Sequence, residues 1–357
     1  MYNNSKHKEA GLSLIELMIA MLVGLILIAG VLSIFISSRA SYGINGAVGQ
    51  IQENGRFALD FIRTATRKAG YMGCANSTST VSYLNPSADT MPYDFTTAIT
   101  GYYFTAVPPA PTENPAPDPA AGDWTPNLDA YLTGKVLPNT DVLVVRYTQN
   151  NPMYINNITS SAATNMNVTG INSLAPGDLM LISNCTSAIV MQTTAPTAGS
   201  TISHAAAGSP GNATTGVPQN YIGAQVVSPN TDAFYIGQGA DGSPALFAAS
   251  FVSGAFTSQE LVPGVESMRV LYGVDLNGDQ VPDEYDKADS VDGAGLWNSV
   301  VSVRVALLLR SNNGAVPQPT AAIPITLLET ITAFTPPLDT RLRQKFIATI
   351  GIRNSLP

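Results

Sequence analysis

The sequence predicts an α+β chain in which one long N-terminal helix, part membrane-spanning and part amphipathic, packs on antiparallel β-sheet. Three observations lead there. An apolar run, LSLIELMIAMLVGLILIAGVLSIFI, follows a short basic leader and is long enough to cross a bilayer. Behind it, apolar residues recur at spacings of three and four from Ile44 to Ala69. Beyond Pro138 the pattern changes to strand-type alternation. Turn residues separate the runs, and no helix-period segment of comparable strength lies between them, which favours antiparallel over doubly wound parallel sheet.

Taken in order, the first element is the apolar run from Leu12 to Ile36, residues 12–36. As a helix it extends roughly 37 Å against a hydrocarbon core of about 30 Å. Glu16 is its only ionisable side chain, and a carboxylate there costs at least ~2.5 kcal/mol to insert, so it needs a partner. A secretory signal does not fit: the apolar core is too long, and no small-residue cleavage site closes it before Ser37-Ser38-Arg39. Lys6 and Lys8 precede the span and no cation lies within it, so the positive-inside rule puts the leader in the cytoplasm and the rest of the chain outside.

A plain anchor gives no reason for Gly11 at the polar boundary or for Glu16. The residues GLSLIEL, Gly11 to Leu17, resemble the cleavage site of type IV prepilins. That resemblance implies a leader peptide, residues 1–11, removed by prepilin peptidase after Gly11, with methylation of the new N-terminus at Leu12. It also gives Glu16 a task. The carboxylate sits one helical turn from the α-ammonium of Leu12, so in a dry bundle of such helices it can pair with a neighbour's ammonium and set the axial register of assembly.

Residues 37–73 read as the amphipathic continuation of the helix. Ile44, Val48, Ile51, Gly55, Ala58, Ile62, Ala65 and Ala69 form one apolar stripe, with Arg56, Arg63, Arg67 and Lys68 mainly off it. Gly43, Gly46 and Gly49 each weaken a helix by about 1 kcal/mol relative to Ala and read as a softened stretch, either one that bends on packing into a filament or a flexible tether. The helix is expected to end near Gly70-Tyr71-Met72-Gly73.

Residues 74–357 then form a β-rich globular region outside the membrane. Its Pro-rich stretch, residues 107–126, cannot hold a helix or a central strand and reads as a solvated loop. Strand alternation is clearest over Val301–Leu309, where the odd positions are apolar, and recurs over Met268–Val274, Val142–Tyr147 and Phe346–Ile352. The two cysteines, Cys74 and Cys185, have no metal-ligand spacing; for an exported pair the natural reading is a disulfide closing a long loop, worth on the order of 4–5 kcal/mol by chain entropy. Two separate thiols are the alternative.

Composition agrees with an exported, sparsely charged chain: 357 residues, 12% charged, 30 Gly and 25 Pro, and net charge −8. That balance argues against nucleic-acid binding, which needs clustered Lys and Arg. Catalysis finds no support either. His7 lies in the leader, His204 stands alone in a Ser/Ala/Gly-rich stretch, and the Gly-rich segment Gly237–Ser243 lacks the Lys and helix pattern of a phosphate loop.

The runs RKAGYMGC (Arg67–Cys74), QELVPGVESMRVLYGVD (Gln259–Asp275), LWNSVVSVRVALLLRS (Leu296–Ser311) and RLRQKFIATIGIRNSLP (Arg341–Pro357) resemble the PilW family of type IV pilus minor pilins. The resemblance implies a pilin fold and a non-enzymatic subunit that joins other minor pilins and the major pilin in a complex that primes pilus assembly and twitching. It implies a place at the pilus tip beneath an adhesin-like partner. Before assembly the chain is expected in the inner membrane, among lipid and the assembly platform. The alternatives are a pseudopilin of a type II secretion system and a membrane-anchored, calcium-dependent adhesin.

The last alternative rests on one motif. Asp275, Asn277, Asp279 and Asp283 stand at first, third, fifth and ninth positions, with Asp286 at the twelfth, as in a calcium loop. Gln280 occupies the position where that pattern wants Gly. An acidic Asn-Gly turn between strands is the competing reading.

Overall fold

The computed structural model describes residues 13–353, apart from 76, 86–90, 119, 150–151, 171–173, 196–198, 253–254, 320–322, 330 and 332. Gly11 and Leu12, the expected cleavage site, lie outside the described residues. Helix α1 runs unbroken from Leu14 to Thr66, 53 residues, about 80 Å at 1.5 Å per residue. Seventeen strands follow among the described residues: β1 Thr80–Ser82, β2 Ile99–Phe104, β3 Trp124–Thr125, β4 Val142–Thr148, β5 Met153–Ile158, β6 Asn165–Val168, β7 Leu179–Ser183, β8 Ala188–Gln192, β9 Thr201–Ser203, β10 Gln225–Val227, β11 Pro229–Gln238, β12 Pro244–Val252, β13 Ala255–Pro263, β14 Val265–Val274, β15 Glu284–Asp286, β16 Val300–Arg310 and β17 Arg343–Gly351. A short helix, α2, spans Ala288–Ala294.

The strands form three sheets, ordered β1-β8-β7-β10-β5-β6-β9, β13-β12-β11-β4-β2-β3 and β15-β14-β16-β17. All neighbours pair antiparallel except β1 and β8. The α+β class, with a long N-terminal helix on antiparallel sheet, is therefore what the chain adopts.

The helix docks by the stripe its sequence announces. Ile51, Gly55, Ala58, Ile62 and Ala65 are buried, against β17, β16 and β13. At Gly55 a Cβ would stand 2.6 Å from the Phe346 ring, so the helix lies on β17 as closely as it does because that position carries no side chain. Facing it are Val303, Val305, Leu307 and Leu309 of β16, all buried. The even positions Ala306 and Leu308 are buried as well, so β16 is covered on both faces rather than half-solvated.

One expectation changes and two gain detail. The helix ends at Thr66, short of Gly70–Gly73, because Lys68 and Ala69 donate back only three residues, to the carbonyls of Ala65 and Thr66, and the Gly70 N–H turns to Arg146 O at 2.9 Å. The glycines at 43, 46 and 49 do not break the helix. Gly46 and Gly49 face open space, so they weaken it without creating a contact. The Pro-rich stretch is largely exposed, as its sequence suggests, and is anchored at a few points. Trp124 is fully buried and donates its ring N–H to Thr140 O at 2.8 Å, while Arg310 binds Glu113 O and, at 3.1 Å, Asn114 Oδ1. Between this strap and residues 333–337 lies a cavity of about 390 Å³.

Two buried charge clusters stand in the β core, one between two sheets and one within the four-stranded sheet. Asp141, just before β4, accepts from Arg269 of β14 at 2.8 Å and from the N–H groups of Phe104 and Val270, joining the six-stranded and four-stranded sheets. Glu266 and Asp339 hold Arg343 between them, each at 2.6 Å, with Arg310 at 3.5 Å from Glu266. These account for polar residues inside a β core that periodicity alone assigns to apolar packing.

Candidate assembly helix and its anchor points

The first half of α1 has nothing around it in a single chain. Leu14, Ile15, Leu17, Met18 and the apolar residues on to Ile36 are exposed; Phe35, near the end of the run, is 63% exposed. The helix is long and apolar enough over this stretch to cross a membrane. Arg39 and exposed Tyr42 follow, and Ile51 is the first fully buried residue of the second half. One helix thus carries an uncovered apolar half and a half docked on sheet.

At its start the chain closes a capping box. Ser13 Oγ accepts from the Glu16 N–H at 3.2 Å, and Glu16 Oε2 accepts from the Ser13 N–H at 3.0 Å. The pattern Ser13-x-x-Glu16 is the sequence signal for this arrangement, and the reading of Glu16 as an intermolecular partner passed over it. The box uses one carboxylate oxygen, Oε2, of an exposed side chain. Glu16 therefore fixes its own helix start while presenting charge to the surroundings.

At the other end, Cys74 is bonded to Cys185, with Cα atoms 4.5 Å apart and a sequence separation of 111. Cys74 follows the glycine-containing turn beyond the helix end; Cys185 lies in the turn between β7 and β8. The backbone of Cys185 is left-handed at φ 69°, a conformation uncommon outside Gly. Asn184 supports it by accepting from the N–H groups of Thr186 and Ser187. The bridge links the end of α1 to the seven-stranded sheet.

Four of the five residues of the calcium motif, Asp275, Asn277, Asp279 and Asp283, lie in the loop between β14 and β15, with Asp286 at the end of β15, and the loop oxygens mainly serve the loop's own backbone. Asp275 accepts from the N–H groups of Asn277, Gly278 and Gln280, Asn277 from Asp279, and Asp279 from Val281. Desolvation, the largest single influence, raises the Asp275 carboxyl, and the backbone donors together, Gln280 first, bring it below the ordinary range. Asp283 accepts from Leu276 N–H and from the Asn277 amide. Asp286 pairs in register with Tyr272 on β15. Among the described residues no group of three or more His, Cys, Asp or Glu is arranged to hold a metal ion. Gln280 takes the left-handed conformation, φ 69°, that the pattern reserves for Gly. The loop is described by the turn reading, with Asx-type bonds closing it.

His204 is not the solvent-loop residue its surroundings suggested. It is fully buried, its Nδ1 donates to Thr215 O at 2.8 Å, and its Nε2 has no partner among the described residues. Burial pushes its pKa below the usual imidazole value. The folded chain therefore holds it neutral, while the unfolded chain takes a proton below about pH 6.5. Stability on its account is present above that pH and is lost as pH falls through it, at up to about 1.4 kcal/mol per pH unit. Denaturant melts between pH 7 and 5 are expected to show this slope, and His204→Gln to flatten it.

Residues 6–32 match the model of the prokaryotic N-terminal methylation motif, and residues 233–354 match that of type IV pilus-assembly protein W, the PilW family. About a third of the chain is thus similar to the PilW family, and its N-terminal segment to the methylation motif. The PilW match takes in β11 through β17, including the Gln259–Asp275 and Leu296–Ser311 runs, and the methylation motif takes in the exposed apolar half of α1; Arg67–Cys74 lies outside both. No curated protein matches the chain. Among solved structures, a type IV-like pilin from Thermus thermophilus is similar at 15% identity, over 51% of this chain and 87% of that one, with a TM-score of 0.24.

Proposed function

We propose that this chain is a minor pilin that joins other minor pilins in a complex that primes assembly of a type IV pilus, at the tip beneath an adhesin-like partner. Before assembly it sits in the inner membrane, leader in the cytoplasm, as a single-pass protein. The observation that carries this reading is the division of α1: a wholly exposed apolar half continuous with a half docked on PilW-type sheet. Such a helix is covered by lipid before assembly and by neighbouring helices after it.

Cleavage after Gly11 leaves Leu12 as a methylated ammonium one residue before the helix cap. In this reading Glu16 Oε1 meets a neighbour's ammonium while Oε2 keeps the capping box. Glu16→Ala removes both, so its expected outcome is a helix start weakened by about 1 kcal/mol and loss of most minor-pilin complex from detergent extracts, with leader processing intact. Glu16→Gln keeps the box geometry and removes the charge; recovery of complex with Gln but not Ala would assign the defect to capping instead.

Deleting the gene separates this reading from its rivals. Loss of surface pili and twitching supports it; loss of exoprotein secretion with pili intact supports a pseudopilin. The PilW match over residues 233–354 favours the first.

A further inference from the structure

The topology leaves one long strand edge open. β17 is nine residues long, contains no proline and pairs only with β16. Just beyond its end the Ile352 N–H donates to Val301 O at 2.9 Å. Antiparallel alternation then turns the N–H and C=O groups of Gln344, Phe346, Ala348 and Ile350 toward β16, and those of Lys345, Ile347, Thr349 and Gly351 away from it. Among the described residues these outward groups have no backbone partner. The outer strands β1, β3, β9 and β15 present only two or three residues each. β13, the other long edge, is bulged against β12 and is met by α1 where Asn54 binds Pro263 O. β17 is not bulged against β16, and α1 packs on its face at Phe346 without bonding the outward groups of its edge among the described residues.

Beside this edge lies a groove of about 660 Å³. The side chains of Lys345, Ile347 and Thr349 enter it, opposite Leu327 and Leu328. Arg304 is fixed there, stacked 3.9 Å over the Tyr285 ring and donating Nε to Thr349 Oγ1 at 3.3 Å. Lys345 reaches only the Thr326 carbonyl, at 3.4 Å. No ion pair among the described residues includes either cation; Glu329, on the groove's far wall, is the one carboxylate lining it.

We propose that β17 takes an added strand from a partner polypeptide, an extended segment whose alternate side chains are apolar and acidic. Its main chain pairs with the outward groups of Lys345, Ile347 and Thr349. Its apolar side chains enter the groove against Ile347, Leu327 and Leu328, and a carboxylate lies between Arg304 and Lys345. Backbone pairing supplies affinity and the groove supplies selectivity, the general logic of strand addition. The proposal does not depend on the tip or priming roles: piliation tests those, and the experiment below tests this.

The test uses the full chain in the cells that make it, with a photoreactive benzophenone amino acid at position 349. The expected result is cross-linking to one contiguous segment of one other polypeptide. Ile347→Pro removes an N–H that β16 does not use, so the chain should fold and keep its disulfide while cross-link yield falls ~10-fold. Lys345→Glu gives a second reading on the same yield, by charge rather than backbone. Ala348→Pro, which removes an N–H bonded to β16, is expected to unfold the sheet and serves as the control. No protein cross-link, adducts to lipid, cross-links to β17 of a second copy, or a yield that neither Ile347→Pro nor Lys345→Glu changes would each overturn the proposal.

Discussion

Replacing Cys74 and Cys185 together by serine should lower the stability of the globular region by roughly 4–5 kcal/mol, the value expected for releasing a loop closed over a sequence separation of 111 in the unfolded chain. The loss has a place as well as a size. Cys74 lies at the end of the turn that follows the helix and Cys185 between β7 and β8, so the bridge fastens α1 to the sheet that shares least of its core. The cluster of Met72, Leu84, Leu179 and Leu181 persists without it, so the expected product is a weakened fold rather than an unfolded one. Urea denaturation of the variant, and of the wild type under reductant, should give the same displaced midpoint. A displacement of less than about 1 kcal/mol would show that the unfolded chain is already constrained in some other way.

Breaking the Asp141–Arg269 pair should destabilise by about 3–5 kcal/mol from either side, Asp141→Asn or Arg269→Met, because each leaves a buried charge without its partner. Both side chains are 2% exposed. Burial raises the Asp141 carboxyl and Arg269 is the main influence that lowers it, so the arginine is what makes an ionised aspartate tenable there. The single variants should also loosen the six-stranded sheet from the four-stranded one, since Asp141 bonds Phe104 on one and Val270 on the other. A double variant with apolar residues of similar volume should recover most of the loss. Equal stability in single and double variants would mean that water already reaches the site.

The helix and its stripe were legible because a 3.6-residue period survives wherever one face is buried. Each of Ile51, Ala58, Ile62 and Ala65 is found where the spacing puts it. β17, half-exposed, was legible for the same reason on a period of two, whereas β14 and β16 alternate in sequence although both of their faces are buried. What the sequence did not disclose is where burial is two-sided. β2, ITGYYF, is buried almost throughout and shows no alternation, so it disappeared into a region read as irregular.

The seven-stranded sheet was hidden differently. Its strands are three to six residues long, separated by Gly, Ser and Thr turns, below the length at which a period can be counted. At the helix start the opposite happened. Glu16 attracted an intermolecular explanation strong enough to hide Ser13 three residues away, although both uses of one carboxylate are compatible. The pairing of Arg269 with Asp141 lay beyond reach because the two are 128 residues apart and carry no local signal.

The account rests on α1 being cut after Gly11 and carried into a pilus with its apolar half covered by neighbours. Mass spectrometry of the chain recovered from sheared surface pili tests that claim most directly. The predicted result is an N-terminal peptide running from Leu12 to Arg39, carrying one methyl group on its amine. A chain found only in the membrane fraction, or one still carrying Met1–Gly11, would contradict it.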